Sequence, residues 1–421
     1  MRRWTSFAIV VALAIVVARA PGTAAPRVEA ADPILVLVSL DGWRWDYINR
    51  FPAANLRALA ARGARASRMI PSFPVLTFPN HFTIVTGRYP EHHGIVGNAM
   101  LDASIGERFT MAAETSRDPR WWNAEPLWVS LVRGGRRAAT MFWPGSEVAY
   151  GGVRPTFWVP YAKPITSPDR VRHVLQWLAL PDTERPSFVS LYFDEVDTAG
   201  HDFGPDSPEV AAAASHLDEA IGQLVAGIRT LGLDGRTTIV VVSDHGMTSL
   251  SPLRVVYLDD YVDPGTVDVT EWHGFLAIAP KDGDAQALYR KLHGSHPALA
   301  VYLRDQAPAR LHYRDNPRIA PVIGVLKIGW AVTTRARLAN RPLEKGAHGF
   351  DPANRDMGAL FVAAGPGVRR GVIIPPFQNV DVYDVLCDVL GLPPQPNDGN
   401  EATARTILVK APASGSIPQL R

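Results

Sequence analysis

Four short segments of this chain carry residues of metal-binding type. Asp41 follows an apolar run, Ile34–Leu40. Asp197 and His201 stand four apart, which puts both on one side of a helical turn. Asp244 and His245 are adjacent behind a second apolar run, 238–242. His348 lies in Gly346-Ala347-His348-Gly349, among small residues that allow close approach. A lone Asp behind a strand is ordinarily a turn or cap residue, and a lone His ordinarily belongs to the surface or the core. Four such segments of matching chemistry make independent structural roles a poor explanation. Their three Asp and three His, with the Thr77 hydroxyl, make seven candidate ligands. That is too many for one tetrahedral zinc with an open position, and it suits two. Two metals ~3.5–4 Å apart form a recurring clamp for in-line phosphoryl transfer. A mixed oxygen and nitrogen set without thiolate favours zinc; manganese and iron fit the same donors. The other nine histidines, His81 among them, are read as surface or core.

Thr77 begins the stretch Thr77-Phe78-Pro79-Asn80-His81, which predicts the first turns of a helix ending near Gly87. Pro79 is tolerated there because the first helical N–H groups lack intrahelical partners. A hydroxyl at a helix start is either a cap or a group next to a bound phosphate. The segment alone leaves both readings open.

The elements that must position these groups follow from the apolar pattern. Apolar runs at 34–40, 187–193, 238–242 and 360–363 predict strands buried on both faces. Helices are predicted over 52–66, 171–179, 208–231 and 380–390, and a short strand over 138–143. Alternating strands and helices predict an α/β fold, a mostly parallel central sheet with helices on both faces. Ligands bind such sheets outside the carboxyl ends of the strands, where Asp41, Asp197, Asp244 and His245 fall. Residues 250–345, with scattered prolines and charges and a helix over 281–293, predict an α+β insertion.

The 421 residues are 47% hydrophobic and 20% charged with a net charge of +2, so nothing in the balance marks a nucleic-acid or membrane-surface binder. Arg2 and Arg3 precede an apolar run over 7–17, the layout of a signal peptide cleaved after Ala30 and too short to span a bilayer. Expected are a leader over 1–30, a catalytic domain over 31–410, a loose tail over 411–421, and a secreted monomer without a membrane anchor, periplasmic if the source is bacterial. The single Cys387 allows no internal disulfide.

The ordered set of motifs resembles the nucleotide pyrophosphatase/phosphodiesterase family of the alkaline phosphatase superfamily. It comprises Asp41-Gly42, Thr77-Phe78-Pro79-Asn80-His81, His93–Asn98, Asp197-x-x-x-His201, Asp244-His245-Gly246-Met247 and Gly346-Ala347-His348-Gly349, and spans about three quarters of the chain. The Cys-rich modules of some animal members are missing, so the chain looks like a catalytic domain alone, as in bacterial members. The resemblance implies two Zn2+ per chain, one held by Asp197, His201 and His348, the other by Asp41, Asp244 and His245. It implies Thr77 as nucleophile and Asn98 as donor to a phosphoryl oxygen. Phe78 and Tyr192 would sandwich a nucleobase, with Tyr161 and Trp143 lining the same pocket. The implied substrate is a small nucleotide or other phosphodiester. Two enzyme alternatives exist: phosphomonoester hydrolysis asks for further cations, with Arg88 the nearby candidate, and a sulfatase asks for Cys or Ser where Thr77 stands. A metal-binding protein without catalysis is the reading from another class.

Overall fold

The apolar runs become three neighbouring strands with every residue buried: β1 (Ile34–Leu40), Phe188–Phe193 and Thr237–Val242. A computed structural model describes residues 32–272 and 274–409. The expected leader and tail lie outside the described residues. In chain order the large sheet continues with β2 (Ala64–Ala66), β3 (Ala138–Met141), β4 (Phe157–Val159), β5 (Phe188–Phe193), β6 (Thr237–Val242), β7 (Phe361–Ala364) and β8 (Val372–Ile374). The spatial order is β8-β2-β7-β6-β1-β5-β3-β4. β1 pairs in parallel with both β5 and β6, and only β7 runs against its neighbours. This is the expected mostly parallel α/β sheet.

Alternate residues of β1 feed two separate cores. Leu35 and Leu37 pack on one face, and Ile34, Val36, Val38 and Leu40 on the other. The second face is covered by α1 (Ala54–Ala61), α2 (Ser167–Leu178) and α3 (Pro208–Thr230). Thr166 and Ser207 cap α2 and α3 through their hydroxyls, and Pro208 takes a first-turn position where no N–H is needed. The first face is covered by α4 (Thr77–Thr86) and α5 (Val382–Leu390).

One element differs from expectation. The helix predicted over 52–66 ends at Ala61, and Ala64–Ala66 joins the sheet. A Cβ on Gly63 would come within 2.0 Å of the Ala363 carbonyl oxygen; this close backbone approach belongs to strand pairing and ends the Ala-rich helix.

Between β6 and β7 the chain builds a second sheet. Val267–Trp272, Phe275–Pro280, Val322–Leu326 and Leu299–Leu303 lie antiparallel in that order, with the helix Ala285–Leu292 against them and an apolar cluster of their own. Thr248–Ser249 pairs with Gly346–Ala347, which brings the two ends of the excursion together. No helix among the described residues is long and apolar enough to cross a membrane.

Candidate active site

Because β5, β1 and β6 are parallel and adjacent, their carboxyl ends lie side by side. Asp41 leaves β1. Asp197 and His201 sit on the helix Glu195–Phe203 that follows β5, and Asp244 and His245 leave β6. Gly42, at φ +68°, lets Asp197 come close: a Cβ there would lie 2.8 Å from the Asp197 Cα. His348 arrives beside the short ladder that closes the excursion.

Thr77 is the first residue of α4. The cap position is Leu76, in extended conformation and without a side-chain cap bond. The Thr77 hydroxyl is therefore not a helix cap; it stands 3.5 Å from His245 Nε2. Asn80 fixes the approach to this residue. Its amide donates to the carbonyls of Pro74 and Leu76 and accepts from the Ser72 N–H.

The three candidate imidazoles are oriented alike. Nδ1 of His201 bonds the Gly346 carbonyl at 3.0 Å, Nδ1 of His245 that of Gly246 at 3.0 Å, and Nδ1 of His348 that of Val75 at 2.8 Å. A carbonyl can only accept, so each Nδ1 carries a proton, and the lone pair of each Nε2 is left to take up a second cation, a proton or a metal. Those lone pairs face carboxylates. His245 Nε2 lies 2.9 Å from Asp244 Oδ2 and 3.6 Å from Asp41 Oδ1. His201 and His348 Nε2 lie 3.5 and 3.8 Å from Asp197 Oδ1. These three carboxylate oxygens are buried and hydrogen-bonded to nothing among the described residues. Lone pairs facing anions are unfavourable unless a cation stands between them, either a proton or a metal.

Two unit charges 4.8 Å apart repel by about 3.5 kcal/mol at an effective dielectric of 20, and the Asp41 and Asp244 ligand atoms lie within 4.8 Å of each other. Burial, then Asp244 and Asp197, push the Asp41 carboxyl well above its usual range. Burial raises Asp244 too, but the His245 and His81 charges outweigh it and hold it low. Burial alone would lower His201, yet Asp197 and then Glu344 lift it to about 9. The donor set thus fits divalent cations: each imidazole is fixed by a second partner, and each carboxylate keeps an oxygen to give.

Of the aromatic candidates, Phe78 is partly buried against Phe109 and Trp122, and Tyr161 is 42% exposed with its hydroxyl on Asp194. Trp143 is only 1% exposed and packs edge-on behind the His81 ring, so the expectation that it lines the pocket is corrected. Tyr192 is 8% exposed and its hydroxyl donates to Asp41 Oδ2 at 2.6 Å. It lies under the site, with little open face for a base. Asn98 accepts from the Phe78 N–H through Oδ1 at 3.0 Å, beside Thr77.

His81 belongs to the site although its surroundings were not legible from a lone His. It is fully buried, with Nδ1 on the Thr77 carbonyl, Nε2 on the Ser39 hydroxyl and Asp244 3.6 Å away. Both nitrogens are committed, so it holds the first turn of α4 and makes a poor ligand. Its place four residues after Thr77, on the same helix face, was the available signal. Glu344, 3.0 Å from His201 Nδ1, was not singled out from the sequence.

The profile of the type I phosphodiesterase / nucleotide pyrophosphatase family matches residues 35–351. The chain is 39% identical over 383 residues to an uncharacterized pyrophosphatase/phosphodiesterase of Schizosaccharomyces pombe, covering 87% of this chain and 78% of that one. It is 38% identical to the venom phosphodiesterase of Macrovipera lebetinus, covering 89% of this chain but 45% of that protein. It thus spans less than half the length of the venom relative. Among solved structures, murine ectonucleotide pyrophosphatase/phosphodiesterase 5, an inactive threonine-to-alanine variant in complex with AMP, matches with a TM-score of 0.85 and 32% identity, over 90% of this chain and all of the other.

Proposed function

The chain belongs to the type I phosphodiesterase / nucleotide pyrophosphatase family, and from that premise we propose that it hydrolyses nucleoside 5′-phosphodiester and pyrophosphate bonds to nucleoside 5′-monophosphates through a covalent intermediate on Thr77. One observation carries the reading: three carboxylates, each with a buried oxygen that has no hydrogen bond, meet three imidazole Nε2 atoms, one of them 3.5 Å from the Thr77 hydroxyl. Asp197, His201 and His348 would hold one zinc, and Asp41, Asp244 and His245 the other, with the Thr77 hydroxyl 3.5 Å from His245 Nε2. When bound, the pair would neutralise the carboxylates and favour the ionised form of the Thr77 hydroxyl.

Thr77 Oγ1 attacks phosphorus in line, and the bond to the leaving group breaks as the P–Oγ1 bond forms. Water then attacks phosphorus, the P–Oγ1 bond breaks, and Thr77 regains its proton. Two inversions give net retention. Asn98, its Oδ1 held by the Phe78 N–H, presents its amide NH2 to a phosphoryl oxygen. Phe78 and Tyr161 offer faces for a nucleobase, which any base accepts. Arg88 bonds the Pro396 carbonyl through Nε and one terminal nitrogen; with that guanidinium engaged, a diester is favoured over a dianionic monoester. The mouse relative's inactive threonine variant holding AMP agrees with a threonine nucleophile and a mononucleotide product. The basic, apolar N-terminal segment supports export, to the periplasm if the source is bacterial; N-terminal sequencing of the mature chain would check it.

The test is Thr77→Ala. Turnover of a chromogenic nucleoside 5′-diester should disappear while zinc content and AMP binding persist. Undiminished turnover would remove Thr77 from the chemistry.

A further inference from the structure

We propose that Tyr192 is a positioning residue that fixes Asp41 as a one-oxygen metal ligand, through the hydrogen bond from its hydroxyl to Asp41 Oδ2. The inference rests on the metal-centre reading above.

The bond is the product of strand register. Ser39 on β1 pairs with Tyr192 on β5, and Asp41, just past the end of β1, keeps its N–H on the Phe193 carbonyl next to Tyr192. The Tyr192 hydroxyl therefore reaches forward along the strand to Asp41, at 2.6 Å. That is the short end of the O–H···O range, and the bond strengthens when Asp41 is ionised, as metal ligation requires. The ring cannot easily swing away. Arg170 holds the Tyr192 carbonyl at 3.0 Å, and the His81 and Tyr161 rings abut it edge-on at 5.2 and 6.2 Å.

The two Asp41 oxygens are thereby made unequal. Oδ2 is occupied by Tyr192, whereas Oδ1 is buried without a hydrogen bond and faces His245 Nε2 at 3.6 Å. Oδ1 has both lone pairs to give to a metal, whereas one of those on Oδ2 is already taken. The donor also draws charge from a carboxylate crowded by Asp244 and Asp197, which limits the repulsion inside the cluster. Partners that orient a ligating carboxylate typically matter by 10–100-fold in metal affinity.

Tyr192→Phe separates this role from base stacking, because it keeps the ring and removes only the donor. Zinc affinity is read by competition with a chromogenic chelator, and steady-state rates with a chromogenic nucleoside 5′-diester. The wild-type chain should take two zinc equivalents. In Tyr192→Phe one of them should weaken by roughly 10-fold or more, the same one that Asp41→Asn abolishes, and kcat should fall with KM nearly unchanged. Tyr192→Leu, a second variant without a donor, should weaken that same equivalent. Unchanged zinc affinity in Tyr192→Phe, or a rise in KM alone, would overturn the positioning role and leave Tyr192 as a base wall. A wild-type chain that fails to bind two equivalents would overturn the metal-centre reading itself, a result visible before any variant is made.

Discussion

Asn98 shows how one hydrogen bond sets the chemistry of a side chain. An amide has an accepting and a donating end. The Phe78 N–H takes the accepting end, and no described residue accepts from the other. The NH2 group is thus preset as a donor beside Thr77, at no cost of reorganisation when charge builds on a phosphoryl oxygen. Asn98→Ala should lower kcat/KM for a nucleoside diester by roughly 100-fold, the usual cost of one oxyanion donor, with intact zinc content. A loss under threefold would take Asn98 out of transition-state stabilisation. His81 teaches the complementary lesson. It lies as close to Asp41 and Asp244 as a ligand would, yet both its nitrogens are bonded elsewhere. Proximity selects it, and hydrogen-bond accounting assigns it to positioning.

At the scale of elements, α4 is held from behind by His93. The His93 ring lies at the end of the short helix Pro90–His93, and Nδ1 accepts from the Ile95 N–H at 3.1 Å. Nε2 faces the Pro79 carbonyl at 3.2 Å and the Thr83 hydroxyl at 3.1 Å. The pattern requires the neutral ring protonated at Nε2, and burial lowers its pKa from 6.5 to about 3. Between those values the unfolded chain binds a proton that the folded chain refuses. Stability is therefore complete above pH 6.5 and lost as pH falls toward 3, by up to about 1.4 kcal/mol per pH unit. Urea unfolding midpoints from pH 7 to 4 should drop steeply in the wild type and less so in His93→Gln. Equal slopes would mean that His93 does not stay neutral. The Ala-rich segment 52–66 marks where element prediction stopped: local propensity favours helix throughout, but Ala64–Ala66 gains a sheet partner on each side from β7 and β8, which nothing local reveals.

At the scale of the whole molecule, the fold gathers negative charge where only a cation makes it stable. Divalent ions should therefore stabilise the protein. At free zinc 1,000-fold above its Kd the gain is about 4 kcal/mol, a rise of several degrees in Tm that chelator reverses together with activity. A Tm and a rate both indifferent to chelator would contradict a metal centre. The second sheet also reaches this centre. Glu271, on its edge strand, accepts from the Ala99 N–H at 2.8 Å and so holds the turn that carries Asn98. The buried-strand pattern, the parallel α/β class and the family were legible in the chain alone, because two-faced burial and motif order are properties of consecutive residues. The carboxylate and imidazole residues at the strand ends were legible for the same reason. The tertiary structure alone decided that Thr77 is not its own helix cap, that Trp143 is buried behind His81, and that Tyr192 bonds Asp41. Those outcomes depend on which strands are neighbours and in what register, contacts between residues 151 apart in the case of Tyr192 and Asp41, and no local pattern encodes them.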